Sequence, residues 1–247
     1  MNYPIIPLDE IDSTNNYFKE LLTCEEAPNI PEFTVVEANY QTAGKGQRGN
    51  FWESNRGENL LFSLLVKPHF LPINEHFLLS MAVSIALKES LSKYTEEITI
   101  KWPNDIYWRD QKIAGILIEN DLMGSTITQS IVGIGVNVNQ TKFNSSAPNP
   151  ISLATIMGYK LDKTELLSSF MDLFIKYYGE LKRGASSGVE TTYWKGLYRN
   201  VGYHLFKDNR GELEAEIEKI DKKGRLYLKE RSGEIKSYLF KEVAYII

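Results

Sequence analysis

The chain has 247 residues, 43% hydrophobic and 24% charged, with a formal net charge of -4. That is chain enough for one large domain, or a large and a small one, and the acidic balance argues against a dedicated nucleic-acid binder, which carries a basic excess. A single cysteine, Cys24, excludes an intrachain disulfide, the opening MNYPIIPLDEIDSTNN has no basic run leading into an apolar one, and no window reaches the ~18 apolar residues of a membrane helix, so the expected setting is a reducing one, the cytoplasm.

In chain order, DSTNNYFKELLTC predicts a helix capped by Ser13 or Thr14, with Tyr17, Phe18, Leu21 and Leu22 as its apolar stripe. EFTVVEANYQ predicts a strand around Phe33 to Glu37, and ENLLFSLLVKP a buried strand ended by Pro68. A buried helix is expected from Glu75 to Tyr94. ITIKW reads as a strand, PND as a turn, and IYWRDQKIAGILIEN as a hairpin turning near Asp110-Gln111. TITQSIVGIGVNVN is a further strand, in which Gly133 and Gly135 leave room for close approach. TKFNSSAPNP is a polar loop that a site could use as a mobile flap. DKTELLSSFMDLFIKYYGELKRG is the clearest helix, with Asp162 and Glu165 as a capping box and Gly184 at its end.

From Tyr203 the texture changes. Short strands broken at DNRG, DKKG and RSG predict a small β-barrel, with a boundary near Leu197 to Asn200. The expected class is α+β: a mixed, largely antiparallel sheet with helices, then the barrel.

The stretch YQTAGKGQRGNFWES, Tyr40 to Ser54, contains Gly44-x-Gly46-x-x-Gly49. A dinucleotide loop needs a helix after it, and here a strand follows. A P-loop needs Ser or Thr after Gly-Lys, but Lys45 precedes Gly46. A kinase loop needs His-Arg-Asp and Asp-Phe-Gly elsewhere, and neither occurs. What remains is a glycine loop whose backbone N–H groups can approach a ligand beside Lys45 and Arg48, or a solvated hairpin turn. Read singly, Lys101-Trp102-Pro103-Asn104-Asp105 is also a plain turn, Lys112 a hairpin lysine, and Ser13-Thr14-Asn15 an ordinary helix cap.

Taken together and in this order, Ser13-Thr14-Asn15, Gln41 with the Gly44–Asn50 loop, KWPND (101–105), KIAGIL (112–117) and Gly133-x-Gly135-x-Asn137 resemble the biotin–protein ligases. The resemblance covers nearly the whole chain. It implies a class II synthetase-like catalytic domain over residues 1–198 and an SH3-like barrel over 199–247. The implied activity joins biotin to ATP as biotinyl-5'-AMP, releasing pyrophosphate, and then passes biotin to one lysine of a biotin carboxyl carrier domain. Bringing a carboxylate to a polyphosphate demands concentrated positive charge, which Lys45, Arg48, Lys101 and Lys112 supply together with Mg²⁺ borne by the nucleotide. No metal site of the protein's own is expected.

By the same resemblance Ser13, Thr14, Asn15 and Gln41 hold the biotin head group, under the backbone of Gly44, Lys45, Gly46 and Gln47. Lys112 meets the biotin carboxylate, and Gly115 lets the ring lie against its strand. Arg48, Asn50, Trp52, Lys101, Asn104 and Asn137 face the nucleotide, and Asp105 helps the incoming lysine. The loop departs from the family, which places an arginine where Gln47 stands; Arg48 comes one position later. Ser13 arrives too early for an N-terminal DNA-binding domain, so no operator binding is expected, and a sheet edge offers a possible homodimer surface. The alternatives are a lipoate or octanoate ligase and a non-catalytic biotin-binding module. The KxAG hairpin and the glycine loop with Gln41 favour biotin.

Overall fold

The structure, a computed structural model, describes residues 3–24, 30–144 and 149–247, apart from the side chain of Arg48. Its main sheet has seven strands: β1 (Ile5–Ile11), β2 (Val35–Gln41), β3 (Leu60–Val66), β4 (Ile98–Lys101), β5 (Asp105–Trp108), β6 (Gln111–Met123) and β7 (Thr126–Val136), in the order β1-β2-β3-β7-β6-β5-β4. Only β1 and β2 run parallel; the other neighbours are antiparallel. β3 is buried at every position, as a run apolar but for Ser63 requires of a strand covered on both faces.

Among the described residues five helices accompany the sheet: α1 (Thr14–Thr23), α2 (Phe77–Leu91), α3 (Leu153–Met157), α4 (Lys163–Lys182) and α5 (Ser186–Lys195). α2 is apolar nearly all round because it lies between the sheet and α4 and α5. α4 starts where Asp162 accepts a hydrogen bond from the Thr164 N–H and ends beside Gly184 at φ 77°. The second sheet is antiparallel, β8 (His204–Asp208), β9 (Gly211–Ile220), β10 (Leu226–Glu230), β11 (Ile235–Tyr238) and β12 (Ala244–Tyr245), in the order β11-β10-β9-β8-β12.

The two sheets share one core. Phe206, Leu226 and Leu228 belong to the same buried cluster as α2 and the main sheet. Trp102 donates through Nε1 to the Gly224 carbonyl (3.0 Å), and Phe77 N–H donates to the Lys222 carbonyl (3.1 Å).

Several local expectations shift. α2 is shorter than Glu75–Tyr94, because Ile73–Glu75 forms a separate 3-10 turn. The hairpin turns at Arg109-Asp110, one residue earlier than expected, with Arg109 at φ 50°. β1, α3 and α5 were not foreseen. β1 holds Pro7 and is an edge strand, where a missing N–H costs no ladder bond. Of the polar loop expected over Thr141 to Asn149, residues 145–148 lie outside the described residues.

Candidate active site

Three glycines floor the site, and each makes room for a side chain from another element. Gly115 on β6 lies opposite Gly135 on β7. A Cβ on Gly135 would come 2.5 Å from Trp52 Cε2, and one on Gly115 2.9 Å from Trp52 Cζ3. A Cβ on Gly133 would come 2.3 Å from Asn15 Oδ1. Strand alternation puts Gly133 and Gly135 on one face, which is why the spacing is two.

One end of the site is neutral and hydrogen-bonded. The start of α1 brings Ser13, Thr14 and Asn15 over the sheet, all buried. Gln41, at the end of β2, accepts from the Thr14 N–H (2.8 Å) through Oε1, with the Thr14 hydroxyl 3.1 Å away. Ser63 on β3 lies 2.6 Å from Thr14 Oγ1 and 2.6 Å from Asn15 Oδ1. Asn15 Nδ2 donates to Glu119 Oε2 (2.8 Å) on β6. Ser13 caps α1 by backbone geometry alone, with no side-chain cap bond.

The other end is cationic. Lys101 closes β4 and Asp105 opens β5 directly opposite it, across the Pro103-Asn104 turn. Lys112 Nζ pairs with Asp105 Oδ1 at 2.6 Å, and that Nζ lies 5.7 Å from the centre of the Trp52 ring. Lys101 Nζ stands over two aromatic rings, Tyr107 at 4.8 Å and Tyr245 at 5.0 Å, and lies 3.3 Å from the Tyr107 hydroxyl. Burial pushes the Lys101 ammonium below the ordinary lysine range; Asp105 opposes that shift, while Lys112 and Arg199 add to it. The Asn104 amide is spent on the main chain, donating to the Ile116 carbonyl at 2.6 Å.

Over this floor the glycine loop folds into a narrow hairpin. Lys45 bridges Phe51, Gly46 N–H donates to Asn50 O (2.7 Å), Trp52 N–H donates to Gly44 O (2.9 Å), and Gln47–Gly49 makes a 3-10 turn. Gly49 sits at φ 86°, where only glycine is comfortable. A Cβ on Gly44 would come 2.7 Å from the Trp52 carbonyl. Much of the glycine content is therefore demanded by the hairpin itself. Lys45 and Asn50 are exposed, and Phe51 is 84% exposed at the rim of the cavity. Trp52 turns inward onto the floor, and its Nε1 is buried with no hydrogen-bond partner. A buried donor left unpaired costs about 1–3 kcal/mol, so this position calls for an acceptor.

These groups line one cavity of about 430 Å³. It brings together Ser13, Thr14, Asn15, Gln41, Lys45, Gly46, Gln47, Asn50, Trp52, Lys101, Asn104, Asp105, Lys112 and Gly115. Gly44 lies behind the wall, and Asn137 is buried just beyond β7, its backbone bonded to Ile113 and Leu153; neither lines the cavity. Arg48 falls in the loop turn, but its side chain is outside the described residues. Among the described lining residues four are lysines, Lys45, Lys101, Lys112 and Lys241, against one carboxylate, Asp105.

Sequence reading missed Ser63, Glu119 and the wall that the second sheet supplies through Phe240, Lys241 and Tyr245. Ser63 carried a signal, being the one polar letter in LLFSLLV. The wall carried none, because it meets the cavity only in the fold.

Comparison with known proteins agrees with this geometry. A sequence model of the biotin/lipoate A/B protein ligase family matches residues 8–137. The bifunctional ligase/repressor BirA of Escherichia coli is 30% identical over 244 residues, covering 96% of this chain and 72% of its own. The biotin–[acetyl-CoA-carboxylase] ligase of Paracoccus denitrificans is 27% identical, covering 92% and 94%. The biotin protein ligase of Aquifex aeolicus, solved with biotin and ATP, superposes with a TM-score of 0.79 at 26% identity, covering 98% of this chain and 97% of that one. The chain belongs to the biotin/lipoate A/B protein ligase family.

Proposed function

We propose that the chain is a biotin–protein ligase that activates biotin with ATP as biotinyl-5'-AMP and transfers it to a lysine of a biotin carboxyl carrier domain. The observation that carries this is the polarity of the cavity: a neutral hydrogen-bonding end at Thr14 and Gln41, and a cationic end at Lys101 and Lys112. A polar head group with a remote carboxylate spans the two. A lipoyl or octanoyl chain has no polar head to use the first end, and a binding module needs no lysine cluster.

In the first step a carboxylate oxygen of biotin bonds to the α-phosphorus of ATP and pyrophosphate leaves. Two anions must meet, so the ammonium groups of Lys112 and Lys101 lower the barrier by offsetting charge as it gathers. In the second step the carrier lysine nitrogen bonds to the acyl carbon and AMP departs. Asp105, hydrogen-bond distance from Lys112, orients that amine and favours loss of its proton. Ser13, Thr14 and Gln41 hold the biotin ring, with Asn15 supporting them from behind. The loop backbone from Gly44 to Gln47 closes over the ligand. Lys101, Asn50, Arg48, Trp52 and Asn104 serve the nucleotide, with Asn137 supporting from beneath the floor. Mg²⁺ comes in with ATP as part of the substrate and supplies further charge neutralisation of the phosphates.

The second sheet, from residue 199, is read as an SH3-like barrel, a C-terminal unit distinct in topology and docked through the shared core, a reading supported by its uninterrupted antiparallel order. A homodimer through the β1 edge of the main sheet is the oligomeric reading. Among the described residues no helix is long and apolar enough to cross a membrane, and a cytoplasmic location without DNA binding suits the acidic charge balance.

The test is pyrophosphate release with biotin, ATP and Mg²⁺, run beside lipoate and octanoate, followed by transfer to a carrier-domain lysine. Biotin-dependent release and transfer support the reading. Release with lipoate or octanoate alone moves the chain to that branch, and tight biotin binding without release makes it a binding module.

A further inference from the structure

Each of the four strand-to-strand connections of the second sheet has one residue at positive φ. In three of them it is glycine: Gly211 at 130°, Gly224 at 83° and Gly233 at 87°. Glycine is the residue such a turn ordinarily takes, since a side chain there crowds its own backbone. The fourth connection, between β11 and β12, holds Lys241 at φ 70° instead. Its turn is closed: Glu242 N–H donates to the Leu239 carbonyl at 3.1 Å, and Leu239 N–H donates to Glu242 Oε2 at 2.6 Å. Lys241 takes the third place of that turn, where glycine would relieve the strain. Of the six non-glycine residues at positive φ among the described residues, it alone lines the cavity. A strained conformation kept at a cavity wall points to a use for the side chain it carries.

The strand that follows the turn places it at the cationic end. Val243 is buried in the shared core, and the Tyr245 ring centre lies 5.0 Å from Lys101 Nζ. Lys241 is exposed, so it stands at the rim of that end, where the glycine loop brings the neutral Gln47. Lys45 is turned away, to Asn16 Oδ1 at the start of α1. Without Lys241 the described cationic end comes to one net positive charge, Lys101 and Lys112 against Asp105. A nucleoside triphosphate brings several negative ones. We infer that Lys241 binds the β- and γ-phosphates of the nucleotide and holds pyrophosphate as it leaves. When the biotin carboxylate oxygen bonds to the α-phosphorus, the α–β bridging oxygen departs with the bonding electron pair. Negative charge then gathers on the leaving pyrophosphate, and an ammonium at the rim offsets it there. Lys101 and Lys112, set further in, serve the α-phosphate and the carboxylate.

The inference rests on the proposed adenylation. Its test is Lys241→Gly, assayed with ATP, with pyrophosphate as product inhibitor, and with preformed biotinyl-5'-AMP. Glycine relieves the turn, so the urea midpoint is expected at or above that of wild type. The KM for ATP and the inhibition constant of pyrophosphate are each expected to rise about tenfold. Biotin affinity, and transfer from biotinyl-5'-AMP to the carrier domain, should match wild type, because neither involves the outer phosphates. Lys241→Met should show the same kinetic losses without a gain in stability, and Lys241→Arg should keep both constants near wild type. A wild type that releases no pyrophosphate with biotin defeats the functional reading itself. In an active protein, unchanged constants for ATP and pyrophosphate in Lys241→Gly overturn the inference. So does a variant slowed only in transfer from biotinyl-5'-AMP, which would set Lys241 against the carrier domain. A midpoint well below wild type would mean that the lysine is kept for the turn, and would overturn it too.

Discussion

Gly115, Gly133 and Gly135 lie in strands hydrogen-bonded on both sides, at the middle of a seven-stranded sheet. Gly44, Gly46 and Gly49 lie in a hairpin whose side chains Lys45, Asn50 and Phe51 face solvent. The floor glycines serve other elements, since Trp52 and Asn15 fill the space that a Cβ would take. The loop glycines serve the loop, through a tight turn and a positive φ. The floor is therefore built before the ligand arrives, by groups that already hold their partners. The loop holds to its surroundings through Trp52, turned onto the sheet, and through Lys45, which is exposed and hydrogen-bonded to Asn16 Oδ1. Recognition is expected to come from the floor, and closure and charge delivery from the loop.

The largest expected effect falls where floor and charge meet. Lys112→Ala should reduce biotin adenylation by roughly 10²–10³-fold with an unchanged circular-dichroism spectrum. Unaltered pyrophosphate release would mean that the charge is supplied from the loop instead. Lys101→Met should cut turnover by about 10²-fold and yet stabilise the protein at neutral pH. The sign follows from its lowered pKa: the buried ammonium costs folding energy below the folded-state pKa, and that cost fades as pH rises through the folded pKa toward the unfolded one. A Lys101→Met midpoint in urea above wild type at pH 7, with the gap narrowing in alkali, is the expected result; a lower midpoint at pH 7 breaks the assignment.

Gly135→Ala should cost about 1–3 kcal/mol through overlap with Trp52. Its effect sharpens the contrast, because the displaced partner belongs to the loop: biotin affinity should fall more than the thermal midpoint does, while Trp52 fluorescence shifts toward that of an exposed indole. The smallest effect is expected from Phe51→Ala, within about 0.5 kcal/mol of wild-type stability, since an 84% exposed ring has little packing to lose. A clear destabilisation would show that the loop is as fixed as the floor.

The floor and the lysines were legible in the sequence because each is local. Strand alternation explains Gly133 and Gly135, and KWPND with KIAGIL places Lys101, Asp105 and Lys112 along one meander. The supports were not legible, because their partners are distant in sequence: Ser63 is 49 residues from Thr14, and Glu119 is 104 from Asn15. Glu119 reads as an ordinary solvated residue of a hairpin until α1 is laid across it. The same holds for the bond from the Asn104 amide to the Ile116 carbonyl, which ties the turn to a different strand. The five-residue α3 escaped because so few helical residues carry little periodic signal, and α5, as long as α1, escaped because SSGVETTYWK has no clear apolar stripe.

The aromatic bracket around Lys101 couples the site to cooperativity. One of its two rings, Tyr245, belongs to the last strand of the second sheet, and that sheet shares its buried cluster with α2. The bracket therefore exists only while both sheets are folded and docked. Melting should appear as a single calorimetric transition, and amide hydrogens of β8 to β10 should exchange with those of the main sheet, in one opening event. Catalytic competence is then a property of the whole folding unit, lost at the same temperature wherever the chain first gives way.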